Sequence, residues 1–227
     1  MMNEGLMKNT VILFAGGDGS NISEKDKNDM AYVIAVDSGL YCCSDNDIKP
    51  EILIGDMDSL DEAMLSAFSK ANPDIVIKTY PSEKDYTDLE LALKFVPHNL
   101  KRLVIYGGLG GRLDHTTANI NLLCSFACEH KMKVIFRGIN EDIYILTDEN
   151  NSMVLENEQN DIVSLIPRGD KVLGVSIDNV KYPLHKKDIL RSKTLGVSNV
   201  TLGKSTSISI EYGVLLVFHN LRGIHES

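Results

Sequence analysis

The sequence lacks the features that mark several large classes of protein. It has no run of about 18 apolar residues, and its first residues lack the basic and apolar segments of a secretory signal. We therefore expect a cytoplasmic protein with no membrane partner. The formal net charge is −9 and no run of Lys and Arg exceeds two residues. No nucleic-acid partner is expected, because phosphate backbones are bound mainly by basic clusters.

The sequence also lacks the patterns of cysteine-based sites and of the common nucleotide-binding loops. The four cysteines, two adjacent and two four positions apart, match neither a C-x-x-C zinc pair nor a secreted disulfide framework, so we expect free thiols. The glycine loop at 16–19 lacks the third glycine of a dinucleotide fingerprint and the G-K-[ST] of a P-loop. Taken alone, this loop is a plain turn.

The stretch 52–59, I-L-I-G-D-M-D-S, is the most informative segment that is present. Its apolar run ends at Gly55 and predicts a buried strand whose carboxyl end presents Asp56 and Asp58. In extended backbone, residues two apart point to the same side, so both carboxylates can converge on one partner.

The order of predicted elements indicates two domains. Predicted strands and helices alternate up to residue 146, which is typical of a doubly wound, mainly parallel, Rossmann-like sheet. From about residue 151, short β-rich segments separated by turn residues predict a C-terminal antiparallel β-sandwich. Its predicted strands are 162–166, 172–177, 180–184, 199–202, 207–212 and 214–218. We therefore predict an α/β domain at 1–148 and a β-sandwich domain at 149–227.

Further acids fall where the predicted parallel strands end, which is where such sheets bind ligands. Asp37 follows a predicted strand, and Asp85 and Asp88 open a predicted helix. With Asp56 and Asp58 they give five carboxylates at one edge, which repel one another unless cations compensate. An all-oxygen set of ligands favours Mg²⁺, which commonly shares a substrate's phosphates. On local grounds, Asp37 is equally well explained as a helix N-cap.

The stretch 84–90, K-D-Y-T-D-L-E, has a structural and a functional interpretation. Thr87 with Glu90 resembles a capping box, and acids in a first turn complement the helix dipole, so capping alone accounts for the segment. Lys84 is the cation of this segment, and its side chain is long enough to reach a phosphate.

The stretch 107–115, G-G-L-G-G-R-L-D-H, indicates a phosphate site. Four glycines in five positions, Gly110 among them, allow backbone N–H groups to approach a ligand closely. Arg112 offers a planar fork for phosphate oxygens, and Asp114 is placed to cap the next helix, whose N-terminus is itself an anion site. With Mg²⁺, these groups predict metal-dependent chemistry at a nucleotide phosphate. Spacing alone goes no further.

Several motifs in the same order resemble those of the thiamine pyrophosphokinases. They are V-D-S-G at 36–39, G-D-M-D-S at 55–59, K-D-Y-T-D-L-E at 84–90, G-G-L-G-G-R-L-D-H at 107–115, Y-P-L at 182–184, S-N at 198–199 and G-V-L-L-V at 213–217. The resemblance spans nearly the whole chain.

The resemblance implies an enzyme that transfers a pyrophosphoryl group from ATP, its co-substrate, to the hydroxyl of thiamine and releases AMP. It implies Mg²⁺ at Asp56, Asp58 and Asp85 or Asp88, with Asp58, Asp85 and Asp88 as the catalytic acids. It assigns ATP to Lys84, Thr87, Gly110, Arg112 and Asp114, and thiamine to Asp37, Ser198 and Asn199. It also implies a homodimer in which thiamine lies between the α/β domain of one subunit and the β domain of the other.

The chain departs from the family pattern at two points, and two alternative functions stay open. It has Ser38-Gly39 where relatives often have Gly-Gly, and it has no tryptophan, on which some members stack thiamine. One alternative is pyrophosphoryl transfer to a pterin alcohol. The other is a thiamine- or nucleotide-binding module without turnover, although a pure binder has no need for several mutually repelling carboxylates.

Overall fold

The computed structural model describes residues 8–17 and 21–220, and the chain divides into two compact units. The first unit comprises Met1–Leu122 and Phe136–Gly138, and the second comprises Leu123–Ile135 and Ile139–Ser227. Residues 1–7, on which the expectation of no secretory signal depends, lie outside the described residues. The predicted boundary between residues 148 and 149 stays a prediction. Among the described residues, no helix has the length and apolarity needed to cross a membrane.

The first unit contains a parallel sheet with strand order β5-β1-β2-β3-β4. Its strands are β1 (Thr10–Phe14), β2 (Met30–Val36), β3 (Ile52–Gly55), β4 (Val76–Thr79) and β5 (Arg102–Tyr106). Its helices are α1 (Glu24–Asp29), α2 (Gly39–Asp45), α3 (Glu62–Ala71) and α4 (Asp88–Leu93). Every residue of β1 and β3 is buried, which explains why both read as continuous apolar runs. By residue number, α5 (Leu113–His130) and β6 (Lys133–Arg137) have members in both units.

Polar side chains start several of these helices. Ser23 accepts a hydrogen bond from the Asp26 N–H at 3.1 Å, and Asp61 accepts one from the Ala63 N–H at 3.0 Å. Thr87 caps α4 by accepting from the Glu90 N–H at 3.2 Å, so the predicted capping role of Thr87 is confirmed. These caps satisfy donors that the first helical turn leaves free.

The position of β1 in the sheet determines where a ligand can bind. It lies between β2 and β5: the chain continues from β1 to β2 on one side, and it enters β5 on the other side only after β4. The order of the strands therefore reverses between β1 and β5, and open α/β sheets bind ligands at the carboxyl edge of such a switch point.

The second unit is built from two antiparallel sheets. Its strands are β7 (Glu141–Leu146), β8 (Ser152–Glu156), β9 (Ile162–Pro167), β10 (Lys171–Asp178), β11 (Leu184–Leu190), β12 (Asn199–Val200), β13 (Ser205–Ser209) and β14 (Leu215–Asn220). One sheet has the order β12-β9-β14-β7 and the other β11-β10-β13-β8. One buried apolar cluster draws side chains from both, including Leu155, Val163, Val175, Ile208 and Val217. The predicted fold class, a mainly parallel α/β sheet followed by an antiparallel sandwich, is confirmed.

Some predicted elements were wrong in detail. The segment 180–184 was predicted as a strand, but Val180 forms only an isolated bridge with Thr201, and β11 begins at Leu184. That strand was missed because its H-K-K-D sequence is exposed and shows no apolar alternation. The strand β8 was missed for a similar reason, since only Leu155 is fully buried in it.

Candidate active site

A cleft of about 490 Å³ opens at the carboxyl edge of the first unit's sheet. Its walls are the loops that follow β1, β2, β3 and β5, together with the first turns of α4 and α5. Among the predicted site residues, Asp37, Asp56, Asp58, Thr87, Asp88, Gly110 and Arg112 line this cleft. Folding therefore brings together seven side chains or backbone positions from four separate sequence motifs.

Gly55 allows the acids at the ends of β2 and β3 to meet. Its φ of +151° is a conformation that residues with a side chain rarely adopt, and a Cβ at this position would overlap the Asp37 carboxylate. The Asp37 N–H donates to the Ile54 carbonyl at 2.9 Å, and its Oδ1 accepts from the Met57 N–H at 3.3 Å. The carboxylate of Asp37 thus occupies the space that the missing side chain leaves.

Crowding of negative charge perturbs the acids of the cleft. Burial, with the charges of Asp88 and Asp56, raises the pKa of Asp37 to about 6. The pKa of Asp58 is raised by its hydrogen bond to Asp56 and by the charge of that residue. The pKa of Asp56 is lowered, chiefly because its Oδ1 accepts a hydrogen bond from the Asp58 N–H at 3.2 Å. A cation placed among these groups would relieve their repulsion.

Lys84 connects two of the acid-bearing segments. Its Nζ lies 3.0 Å from Asp88 Oδ1 and 4.0 Å from Asp56 Oδ2. The long side chain can exchange either carboxylate for a phosphate oxygen. Asp85 is exposed and does not line the cleft, so its assignment as a ligand stays a prediction.

Two glycine-containing loops approach each other closely at the sheet edge. The Gly17 N–H donates to the Gly107 carbonyl at 3.1 Å, and a Cβ on Gly17 would collide with that carbonyl oxygen. Gly107 has φ +71°, and its own Cβ would lie 2.6 Å from the Ala15 carbonyl oxygen. Larger residues at either position would push the loops apart, so glycine here serves close backbone approach.

The first turns of α5 hold the second of these loops. Asn119 Nδ2 donates to the Gly108 carbonyl at 3.2 Å, and the Thr116 hydroxyl donates to the Gly110 carbonyl at 3.3 Å. Because side chains of the helix satisfy these carbonyls, the loop is fixed relative to the helix that follows it.

Arg112 and Asp114 form an exposed ion pair at the mouth of the cleft. Their Nη2 and Oδ2 atoms are 2.6 Å apart, and a second bond joins Nε to Oδ1 at 3.1 Å. The hydrogen bond from Arg112 lowers the pKa of Asp114 to about 2. Of these two residues, Arg112 lines the cleft and Asp114 does not. An exposed pair of this kind is weak, so the guanidinium can turn to an anionic ligand at little cost.

Comparison with known proteins identifies the family of the chain. Residues 24–136 match the family described as "Thiamin pyrophosphokinase, catalytic domain", and residues 151–215 match "Thiamin pyrophosphokinase, vitamin B1 binding domain". A thiamine pyrophosphokinase of Bacillus subtilis is 30% identical over 189 residues, which cover 82% of this chain and 86% of that protein. The chain belongs to the thiamine pyrophosphokinase family. It is therefore an enzyme of the kinase and transferase class, as the sequence motifs implied.

Solved structures of the thiamine pyrophosphokinase family share this fold. A crystal structure of thiamine pyrophosphokinase from Bacillus subtilis aligns with a TM-score of 0.78 at 27% identity, over 93% of this chain and 99% of that one. The protein from Geobacillus thermodenitrificans aligns with a TM-score of 0.75 at 24% identity, over 95% and 98% of the two chains.

The cleft of this thiamine pyrophosphokinase family member has oxygen ligands suited to Mg²⁺. No group of three or more His, Cys, Asp or Glu side chains arranged to hold a metal occurs among residues 8–17 and 21–220. Mg²⁺ is commonly bound by only one or two carboxylates, with waters and substrate phosphates supplying the other oxygens. The adjacent carboxylates of Asp56 and Asp58, whose mutual repulsion a cation would relieve, fit that requirement.

In the second unit, hydrogen bonds join the two short motifs that resemble the thiamine pyrophosphokinase family, Y-P-L at 182–184 and S-N at 198–199. Asn199 is buried, and its Oδ1 accepts from the Tyr182 N–H at 3.0 Å while its Nδ2 donates to the Tyr182 carbonyl at 2.7 Å. Ser198 is exposed with φ +58°, and its N–H donates to the Ser164 hydroxyl at 2.9 Å. Tyr182 itself is 61% exposed. The assignment of Ser198 and Asn199 to thiamine stays a prediction.

Sequence reasoning missed some residues of the cleft. His115 and Thr116 line it, and the Ser38 hydroxyl donates to the Gly16 carbonyl at 3.1 Å, which ties the loops after β1 and β2 together. The signal for Thr116 was available, because Thr116 and Asn119 are three positions apart in a helix and therefore share a face. For Ser38, the neighbouring sequence contains no pattern that predicts a hydrogen bond to Gly16, which is 22 positions away.

Proposed function

We propose that this protein catalyses the Mg²⁺-dependent transfer of a pyrophosphoryl group from ATP to the hydroxyl of thiamine, giving thiamine diphosphate and AMP. The observation that carries the proposal is the cleft, in which strand-end acids and the glycine loop 107–111, all within the segment matched by the family's catalytic domain, converge with a second glycine loop at 16–17. The thiamine oxygen forms a bond to the β-phosphorus, the bond from the α,β-bridging oxygen to that phosphorus breaks, and AMP leaves.

On the nucleotide side, the phosphates of ATP lie against the paired glycine loops. Gly110 and its neighbours supply backbone N–H groups, and Arg112 turns from Asp114 to the phosphate oxygens. Lys84 leaves Asp88 for the same purpose, while Thr87 holds the start of α4.

Acids at the strand ends and at the start of α4 would hold Mg²⁺ and orient the attacking hydroxyl. Asp56 and Asp58, with Asp85 or Asp88, are the proposed ligands. When bound, Mg²⁺ neutralises charge on the phosphate oxygens of the transferred group. A carboxylate that is not engaged with the metal, among Asp58, Asp85 and Asp88, accepts the proton of the thiamine hydroxyl.

On the thiamine side, Asp37 contributes from the cleft, and Ser198 and Asn199 contribute from the second domain of a partner copy. The proposed enzyme is a cytoplasmic homodimer whose sites are shared between subunits, and 149–227 is its thiamine-binding and dimerisation domain. The exposed Tyr182 ring, which is held beside Asn199, offers an aromatic surface for thiamine in a chain without tryptophan.

Product analysis tests the proposal directly. Protein, ATP, Mg²⁺ and thiamine are mixed, and both products are identified by chromatography and ³¹P NMR. We expect AMP and thiamine diphosphate in equal amounts, and ADP as the nucleotide product would contradict pyrophosphoryl transfer. A hydroxymethylpterin added in competition distinguishes the pterin alternative, and tight thiamine binding without AMP would indicate a binding module.

The variant Asp58→Asn tests the proposed metal ligands. It removes a charge from an exposed residue of the cleft, so we expect turnover to fall at least tenfold with an unchanged melting temperature, in line with about 1.4 kcal/mol of lost transition-state stabilisation. Asp170→Asn is the matched control, because it removes an exposed carboxylate that pairs with Arg191 in the second unit. Equal rates for the two variants would mean that Asp58 does not hold the metal.

A further inference from the structure

A group of four side chains in the first unit, the Asp26 cluster, is not among the motifs that predicted the site. It consists of Asp26, Arg102, Tyr106 and Arg137. The Asp26 carboxylate is fully buried and accepts from Arg102 Nη2 at 2.6 Å, the Tyr106 hydroxyl at 2.8 Å and Arg137 Nε at 3.0 Å. The cluster therefore joins α1 to both ends of β5 and to the end of β6.

The protonation states in the cluster are well defined. Burial alone would raise the pKa of Asp26, but Arg137, Arg102 and Tyr106 together lower it, so the carboxylate is ionised at neutral pH. Burial raises the pKa of Tyr106 to about 12, so its hydroxyl keeps its proton and donates a hydrogen bond to Asp26. A buried ion cluster adds little net stability compared with apolar packing. We therefore expect its role to lie in the groups that its hydrogen bonds hold in place.

Those bonds place the Tyr106 hydroxyl where it holds the segment that follows β1. The Ser23 N–H donates to the Tyr106 hydroxyl at 3.1 Å, and the Gly17 N–H donates to the carbonyl of the next residue, Gly107, at 3.1 Å. Two consecutive residues at the end of β5 therefore hold the chain at Gly17 and at Ser23. The helix that Ser23 caps has only six residues, which is too short to be stable without such anchors.

Both glycine loops of the cleft depend on this arrangement. Gly17 and Gly107 line the cleft, and Tyr106 directly precedes the loop 107–111. We propose that Tyr106, oriented by Asp26, is a positioning residue that fixes the separation of the two glycine loops and thereby the affinity for the triphosphate of ATP. The inference rests on the proposed function, because it takes the loops to be the phosphate site. Displacements of about 1 Å at such a site are costly.

The variant Tyr106→Phe tests the inference. It removes the hydroxyl and keeps the ring, which packs on Phe14 with the ring centroids 5.6 Å apart. We expect the KM for ATP to rise about threefold to tenfold, which is the range for the loss of one ordinary hydrogen bond, with the KM for thiamine unchanged. Tyr144→Phe is the matched control, since it removes a hydroxyl that donates to Asp142 at 3.3 Å in the second unit. It is expected to change neither KM.

Calorimetry with Mg²⁺ and a non-hydrolysable ATP analogue gives a second measurement that needs no turnover. The dissociation constant of Tyr106→Phe should rise by the same factor as its KM. A lowered melting temperature with unchanged affinity for ATP and its analogue would overturn the inference while leaving the proposed function intact. Wild-type protein that binds no nucleotide would overturn both.

A second variant covers the case in which Tyr106→Phe does not fold. Arg137→Lys keeps a positive charge beside Asp26 but lacks the Nε donor, so Asp26 orients Tyr106 less firmly. We expect a rise of about twofold to threefold in the KM for ATP alone. An unchanged KM for ATP in this variant would equally overturn the inference.

Discussion

The substitution Gly55→Ala tests how the carboxyl ends of β2 and β3 are packed. An alanine at φ +151° carries backbone strain of about 1–3 kcal/mol. Its methyl group would also occupy the position of the Asp37 carboxylate, and overpacking of this kind costs about 1–3 kcal/mol more. The expected loss is therefore about 2–6 kcal/mol, a large part of the stability of an ordinary domain.

Thermal unfolding followed by circular dichroism measures this loss. At about 3 kcal/mol, we expect the melting temperature to fall by about 6–12 °C. Two alanine variants separate the causes. Gly169→Ala has no heavy atom of the described residues within 4 Å of its Cβ and no positive φ, so it should be near neutral. Gly111→Ala has φ +65° but equally open space, so it should show the backbone cost alone.

A double-mutant cycle with Asp37→Ala identifies the clash partner. Because this change removes the carboxylate that the new methyl group would meet, Gly55→Ala should cost about 1–3 kcal/mol less in the Asp37→Ala background. A melting temperature for Gly55→Ala within about 2 °C of that for Gly169→Ala would refute the described approach of Asp37 to Gly55. Additivity in the cycle would refute the assignment of Asp37 as the partner.

Three further predictions concern buried polar groups. The pKa of Asp26 is lowered in the folded state. The stability that ionised Asp26 contributes is therefore present above its unfolded pKa of about 3.9 and is lost as the pH falls through the folded pKa. The loss of unfolding free energy in Asp26→Asn, measured by urea unfolding, should be largest near pH 7 and should shrink below about pH 4. Asn199→Ala leaves the N–H and carbonyl of Tyr182 without their partner, so it should lower the free energy of unfolding by about 1–3 kcal/mol in urea titration. Thr206→Val should be neutral or slightly stabilising in the same assay, because the buried Thr206 hydroxyl has no hydrogen-bond partner in the described part of the chain.

The acidic and glycine-rich segments could be predicted from the sequence because their information is local. The order of apolar run, Gly55 and two acids specifies a buried strand that ends in ligands, and the alternation of strands and helices then places such ends at one edge. Four glycines within 107–111 indicate close backbone approach in the same local way. No knowledge of distant residues is needed for these inferences.

The Asp26 cluster could not be predicted, because it depends on contacts between distant parts of the chain. Asp26 is 76 positions from Arg102, 80 from Tyr106 and 111 from Arg137. In the sequence, Asp26 belongs to the polar helix E-K-D-K-N-D, where it reads as one more solvated acid. Only the packing of α1 against the sheet shows that this acid is fully buried and paired.

The S-N motif of the second unit shows that one residue can match both a structural and a functional pattern. The Asn199 Oδ1 accepts from the N–H groups of Tyr182 and Val200, and one of its two amide hydrogens goes to the Tyr182 carbonyl. An amide has two acceptor positions and two donors, so among the described residues the second N–H is left for a ligand in the proposed function. In the proposed function, that donor serves a pyrimidine nitrogen or a hydroxyl oxygen of thiamine, because an N–H group cannot stabilise the cationic ring. Replacement of Asn199 therefore displaces Tyr182 first, and its effect on thiamine affinity should follow that displacement.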